Sequence, residues 1–559
     1  MKKIILAGFI IVIAFQICFS QSNVLTNEKI NVFTDRDLYI TGEKILISLF
    51  LTSDKKSNTS DLINKTAYIE LFNKKQKSVL KKKVKLIHKS AELYFMIPNN
   101  FDTDNYILLA YTKTQKYFCN NLSSGKIISI INPNYVRFDS DSSVNYSQPN
   151  KTNNDIVYND IVLNTDNNIY KTRDKVNLKI SFSEINKPEK LKYVLSVVRK
   201  GTIKNYQNKI RIKKDFEAEK NPKFLEEKRI SLTGIIIDKA TGNPIEGKEI
   251  YLSGLKTEKQ IHVVNSDSEG QFYFSLYNFI GVKDFYLTTE SEIPNSKIQI
   301  YNEFLNSCIP DEKVKLSLSM TEKELIEEMY LNQQLSELKD SKISFKKLIT
   351  DTLISQFGKP DFKVYLKNFV KLPTLHEVFD EIIPSVRVRE ENHKYVLSIY
   401  DEELNLNYNK PLILLDNIPV FNVDEILKIK PSLINNIEII NKMYLSGSKI
   451  FNGIIILNSN SDKFCRIKLP ENAKFIKYQG FTNSEYPIFP VYNTNEEKES
   501  KKPDFRNTLY WEAGNMTADA NKFFSFYTSD NCADYIVNLY LINEKGIVSK
   551  RTKTFIVEK

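Results

Sequence analysis

The chain has 559 residues, 42% hydrophobic and 26% charged, with a formal net charge of +11. At roughly 150 residues per domain this predicts about three to five modules, and the composition excludes a collagenous, a mainly disordered and a multi-span membrane chain. Glycine (16) and proline (18) are scarce while Tyr (30) and Phe (34) are abundant, so Gly-rich phosphate loops are not expected and strands are favoured over helices.

Lys2 and Lys3 precede an apolar run over 4–17, and Ser20 offers a cleavage point. The run is shorter than the roughly 20 residues of a membrane span, so 1–20 read as a secretory signal peptide. Cys18 sits in a poor context for lipid attachment. No later apolar run is long enough to span a bilayer, which predicts a soluble or peripheral mature chain. Cys119, Cys308, Cys465 and Cys532 fit no metal spacing, and a disulfide pair and buried free thiols both stay open.

Short β-branched or aromatic runs at 45–51, 67–72, 84–87, 91–97 and 106–111 predict a first β-sandwich within 21–136. The lysines at 74, 75, 77 and 81–83 read as a solvated sheet face, or as a patch for an anionic lipid or other polyanion. The polar stretch 137–157 is a linker. Strands at 160–163, 175–182 and 193–199 form a second, partial sandwich over 158–228. Strands at 230–238, 249–253, 261–265 and 270–276, with turns at Thr241-Gly242-Asn243-Pro244 and Asp267 to Gly270, form a third over 229–310.

Helical periodicity begins at Thr321, which has capping-box spacing to Glu324, and runs to Asp340 inside a connector over 311–345. A mixed α/β unit over 346–462 follows, with helices at 372–383 and 424–428 and strands at 395–400, 411–418, 434–440 and 453–458. Strands at 523–528, 535–542 and 552–557 predict a C-terminal sandwich over 463–559. The fold class is mainly β, with tandem sandwiches and one α/β unit.

Thr34-Asp35-Arg36-Asp37-Leu38-Tyr39-Ile40-Thr41-Gly42-Glu43, with Tyr106 to Thr112 and Ile131-Asn132-Pro133, resembles the first macroglobulin-like (Ig-like) domain of a group of exported multi-domain proteins of the Bacteroidetes. Ser231-Leu232-Thr233-Gly234, the Thr241 to Gly247 turn and Asp267 to Phe274 resemble a carboxypeptidase-regulatory-like domain, a small sandwich without catalytic residues. Leu415-Asp416-Asn417-Ile418-Pro419-Val420 and Asn452-Gly453-Ile454-Ile455-Ile456 are similar to the plug domain of TonB-dependent receptors, although Leu445 to Phe451 replaces the usual Gly-rich turn. Pro503 to Trp511 and Phe523 to Asp530 resemble the group's C-terminal sandwich.

The 98 residues after Ser461 cannot build an outer-membrane barrel, which needs roughly 200 residues in strands alone. The plug-like unit must therefore stand free, pack on its neighbours, or dock on another protein. The resemblance implies a non-enzymatic scaffold or accessory subunit of an outer-membrane transport or assembly complex, periplasmic or peripheral to the outer membrane. It implies no cofactor and no nucleic acid. Asp416, Asn417, Pro419, Phe421, Asn452 and Gly453 form the candidate interface.

The rival reading is a peptide- or glycan-binding module using Tyr39, Tyr117 or Trp511. No catalytic or metal-ligating constellation is legible. The four histidines, His88, His262, His376 and His393, lack metal spacing, and a macroglobulin thioester motif is missing. Asp35/Asp37, Asp102/Asp104 and Asp139/Asp141 lack the Gly and Glu of a calcium loop. Asp351-Thr352-Leu353 matches a short O-glycosylation pattern.

Overall fold

The computed structural model describes the chain apart from residues 1–27, 54–63, 120–121, 123–124, 137–160, 183–189, 205, 207–209, 215–228, 256–259, 291–292, 307, 312–315, 339–343, 348–356, 402–404, 448, 462–463, 518–520 and 545. The expected signal peptide, the linker and Thr352 lie outside the described residues. The protein is mainly β, built of several packed sheets.

The first sandwich packs a three-stranded sheet (Glu28–Thr34, Lys44–Ser53, Ser90–Met96) against a five-stranded one, in the order Leu38–Ile40, Lys126–Ile131, Asp104–Tyr111, Thr66–Phe72, Ser78–Lys85. Strand alternation places Ile45, Ile47, Leu49 and Leu51 on the inner face, where they meet Leu93, Phe95, Ile69 and Leu108. The short strand Leu38–Ile40 runs parallel to Lys126–Ile131, whereas the other pairs are antiparallel.

The second sandwich repeats this plan strand for strand. Ile161–Thr165, Lys175–Phe182 and Lys522–Tyr527 make the three-stranded sheet. Ile169–Lys171, Val548–Glu558, Asp534–Ile542, Lys190–Arg199 and Thr508–Thr517 make the five-stranded one, again with its short strand parallel to the last. In the first copy the fourth and fifth strands are joined by a tight turn over 73–77; in the second, residues 200–507 occupy that connection. Val198 and Thr508 are cross-strand partners, so the inserted chain leaves and returns side by side. The expected division into a partial sandwich over 158–228 and a separate one over 463–559 is corrected accordingly. Both halves share one core, in which Leu195 and Val197 meet Leu509, Val537 and Phe555.

The insertion holds two further units. One is a sandwich with sheets Gln271–Leu276, Ile230–Asp238, Ser296–Ile300 and Ile261–Asn265, Glu249–Gly254, Val282–Thr289, Lys474–Gln479. Its last strand comes from well beyond the expected 229–310 and is seated by Tyr478 and Phe481 in the core. The other is the α/β unit. Its five-stranded sheet orders Phe362–Tyr365, Ile434–Ser446, Lys449–Ser459, Leu412–Leu415 and Ile418–Pro419; a three-stranded sheet (Val386–Glu391, Lys394–Asp401, Leu406–Asn409) and helices Leu375–Glu381 and Val423–Leu427 cover it. Thr374 and Glu377 form a complete capping box on the first of these helices.

The helix Met320–Leu338 starts one residue before expectation, with the Ser319 N–H and hydroxyl donating to Glu322 at its head. Its apolar residues Ile326 and Met329 pack on Leu38, Ile40 and Ile131 at the edge of the first sandwich. Among the described residues no helix is long and apolar enough to cross a membrane.

Candidate functional site

The motif at the head of the first sandwich is a buried hinge block. The Tyr39 hydroxyl donates to Asp35 at 2.6 Å, the Arg36 N–H donates to that hydroxyl, and the Leu46 N–H donates to the same carboxylate. Arg36 pairs with Glu43 at 2.9 Å. From the second sandwich, Thr508 donates to Asp35 at 2.6 Å and Asn507 to Glu43 at 3.0 Å. Burial pushes the Asp35 carboxyl above its ordinary range, with Arg36 and the hydroxyl donors pulling the other way. Asp37 pairs with Lys126 at 2.7 Å and accepts from the Lys204 N–H. These acids therefore serve the joint between sandwiches, and Asp104 is paired with Lys74 at 2.7 Å.

The second sandwich carries the same block. Tyr170 donates to Asp166, and the Asn167 and Asn177 N–H groups complete the pattern. Where the first copy has Gly42 at φ +86°, the second has Arg173 at φ +60°. Arg173 makes two bonds of 2.7 Å to Asp530 and donates to the carbonyls of Lys498, Ser500 and Lys502, tying the returning chain to the sandwich. The sequence carried this repeat in Thr165-Asp166, Tyr170 and Asp174-Lys175, aligned on Thr34-Asp35, Tyr39 and Glu43-Lys44; the reading above missed it.

The lysine cluster divides: Lys74, Lys75, Lys77 and Lys81 are exposed, as a solvated face requires, whereas Lys82 is half-buried and Lys83 buried. Lys83 is fully buried and pairs with Glu303 at 3.0 Å, under the Tyr478 ring. Lys82 donates to the Tyr94 carbonyl and Lys81 lies over Phe304. Lys83, and Lys113, which donates to Ser231, join the first sandwich to the third.

The predicted interface residues are drawn together, but most face inward. Asp416 and Asn417 occupy a turn with φ of 48° and 71°. Asp416 accepts from the Ser459 N–H and hydroxyl, while Asn417 is buried and donates to the Gly254 carbonyl of the third sandwich. Pro419 is buried. Phe421 meets Tyr251 edge-on at 4.8 Å. Gly453 is buried at φ +82°, where a Cβ would lie 2.7 Å from Ile399, and Asn452 alone is exposed. The Asp416 to Phe421 face is thus covered by the chain's own sandwich, through Tyr251, Ile261 and Val263 against Leu412, Leu414, Ile454 and Ile456.

Among the surfaces the α/β unit leaves open is one face of its long hairpin. Beyond the ends of the flanking strands, Tyr444, Ser446 and Phe451 turn toward the third sandwich. Ser446 donates to the Ile261 carbonyl at 2.7 Å. On the opposite face Met443, Leu445 and Ile450 are 67%, 66% and 60% exposed. Tyr39 and Trp511, offered above as ligand platforms, are buried at 0% and 4% exposure, and the Tyr117 side chain lies outside the described residues.

Cys119 is disulfide-bonded; Cys465 and Cys532 are free. Among the described residues no group of three or more His, Cys, Asp or Glu is placed to hold a metal ion.

No family model matches the sequence, and no curated protein matches it. Solved structures are similar to it. The crystal structure of Salmonella alpha-2-macroglobulin reacted with methylamine is 8% identical, at a TM-score of 0.24, covering 96% of this chain and 40% of that one. Trypsin-activated alpha-2-macroglobulin from Escherichia coli is 8% identical, at 0.23, covering 95% and 42%. A putative membrane anchored protein from Corynebacterium diphtheriae is 10% identical, at 0.14, covering 52% and 59%. The chain spans less than half the length of these macroglobulins. The architecture described above stands on this chain's own sheets and registers.

Proposed function

We propose that the protein works without catalysis, as an exported scaffold or accessory subunit of an outer-membrane transport or assembly complex, through macroglobulin-like sandwiches and a plug-like α/β unit. The disulfide at Cys119 supports an oxidising compartment. The observation that carries the reading is the hairpin. Three large apolar side chains, Met443, Leu445 and Ile450, share an outward face on a hairpin seated against the third sandwich, and such a face suits burial in an envelope partner. Fold alone does not assign a task, so the test is direct. A photo-crosslinking residue at position 445, irradiated in intact cells, is expected to capture one outer-membrane protein reproducibly. Capture of nothing, with the same residue at Asn452 equally silent, sinks the reading.

A further inference from the structure

A cavity of about 300 Å³ lies where four pieces of the chain meet, residues 525–527 of the second sandwich among them. Glu92 comes from the outer face of the first sandwich, Tyr510, Trp511 and Glu512 from an edge strand of the second, and Tyr486, Phe489 and neighbouring prolines from the returning segment 485–491. Six aromatic residues, Tyr486, Phe489, Tyr510, Trp511, Phe526 and Tyr527, line the wall. Two carboxylates interrupt it, and their situations differ. Glu512 accepts from the Tyr193 and Tyr510 hydroxyls. Glu92 is only 8% exposed, and its carboxyl makes no hydrogen bond or ion pair among the described residues. A buried carboxyl left without a partner is costly, and it persists where a ligand or a proton completes it.

We propose that this cavity is a binding site for an organic ammonium group, held by the Glu92 carboxylate and by the faces of Trp511, Tyr510 and Phe489. Aromatic walls attract a cation through their ring quadrupoles, and an adjoining carboxylate supplies the opposite charge. The charged groups around the site agree with this assignment. Lys522 stands 3.8 Å over the Tyr193 ring and is not part of the cavity wall. Lys82 and Glu485 are placed around Tyr94, two residues along from Glu92. Glu512, Tyr193 and Tyr486 are the remaining titratable groups that feel Glu92.

Burial, reinforced by Glu512, pushes the empty-site Glu92 carboxyl up to about 8. Ammonium binding favours the ionised form, so it releases a proton, and affinity rises with pH through that value. Trp511 is the only tryptophan of the chain and lines the cavity, which makes its fluorescence a local reporter.

The test titrates the full-length mature protein with choline, whose charge does not change with pH, and with its uncharged carbon isostere dimethylbutanol. A saturable Trp511 response to choline is expected, with dimethylbutanol at least tenfold weaker. The choline affinity should fall by up to roughly 100-fold from pH 9 to pH 6, as the ionised fraction of a group titrating near 8 falls. Glu92→Gln keeps shape and neutrality, and should abolish both the preference and the pH dependence while leaving the thermal midpoint at pH 7 within about 2 °C. No saturable response, equal responses to the two probes, or wild-type choline affinity in a folded Glu92→Gln protein each overturn the assignment.

Discussion

Arg173 holds Asp530 with two parallel N–H···O bonds of 2.7 Å across 357 residues of chain. The same guanidinium caps four backbone carbonyls of the returning segment, so it seals the point at which the insertion rejoins its sandwich. Removing one partner of a pair this buried leaves the other charge and several carbonyls uncompensated. Arg173→Ala is expected to cost about 3–5 kcal/mol of stability, and Arg173→Lys to recover only part of it, since lysine lacks the fork. Urea denaturation read by circular dichroism measures both.

The two hinge blocks differ in burial, and their mutants should differ with it. Tyr39→Phe strips a donor from a fully buried Asp35, which is expected to cost about 1–3 kcal/mol. Tyr170→Phe strips the same donor from an exposed Asp166, where water replaces it, and should cost less than about 1 kcal/mol. Equal losses in denaturant titrations of the two variants contradict this account of the repeat.

His262 supplies a pH dependence of definite sign. Burial, followed by the nearby Arg229, holds its imidazole down to about 4. Between that value and the unfolded value near 6.5 the unfolded chain binds the extra proton, so this group's contribution to stability falls as pH drops through the window. The side chain is partly exposed, and we expect about 1–2 kcal/mol after allowance for screening. His262→Gln should flatten this component between pH 6.5 and 4 in thermal melts.

Thiol labelling follows the cysteine environments. Exposed Cys532 should react with iodoacetamide first; Cys465, whose thiol burial pushes up to about 11, should react far more slowly. Cys119 should label only after reduction. Reduction is expected to cost about 2–4 kcal/mol, visible as a lower melting temperature.

Gly447 lies where the hairpin meets the third sandwich, with φ +62° and the Val263 carbonyl 2.0 Å from where a Cβ would stand. Gly447→Ala must move backbone against backbone, and it should destabilise by more than about 1 kcal/mol. Limited proteolysis should then open the α/β unit while the first sandwich stays intact.

The strands of the closing sandwich were legible, since Phe523 to Thr528 and Tyr535 to Ile542 have the period of half-buried strands. Their partners were not. Alternation reports which residues face inward, and it carries nothing about pairing with Lys175–Phe182 or Lys190–Arg199 across an insertion. The Asp416-Asn417 turn was likewise located by its residues, yet the face it presents is taken by Gly254 and Tyr251, a contact between units that no local pattern encodes. Lys83 reads as solvated because charge normally is; only the fold shows Glu303 waiting opposite it. The repeated Thr-Asp, Tyr and acid-Lys spacing was the one long-range signal present in the letters themselves.

The interrupted sandwich also sets an order of events during synthesis. Leu195 and Val197 are made early, but the strands that flank theirs, Asp534–Ile542 and Thr508–Thr517, and the core partners Phe524 and Phe526 are made late. An apolar sheet face must wait unsatisfied while two whole units fold beside it, which is the condition under which nascent chains aggregate. A holdase engaging that early half is the kind of helper such a chain requires, and shortening the chain by its final strands would leave the newborn protein permanently in the state that helper recognises.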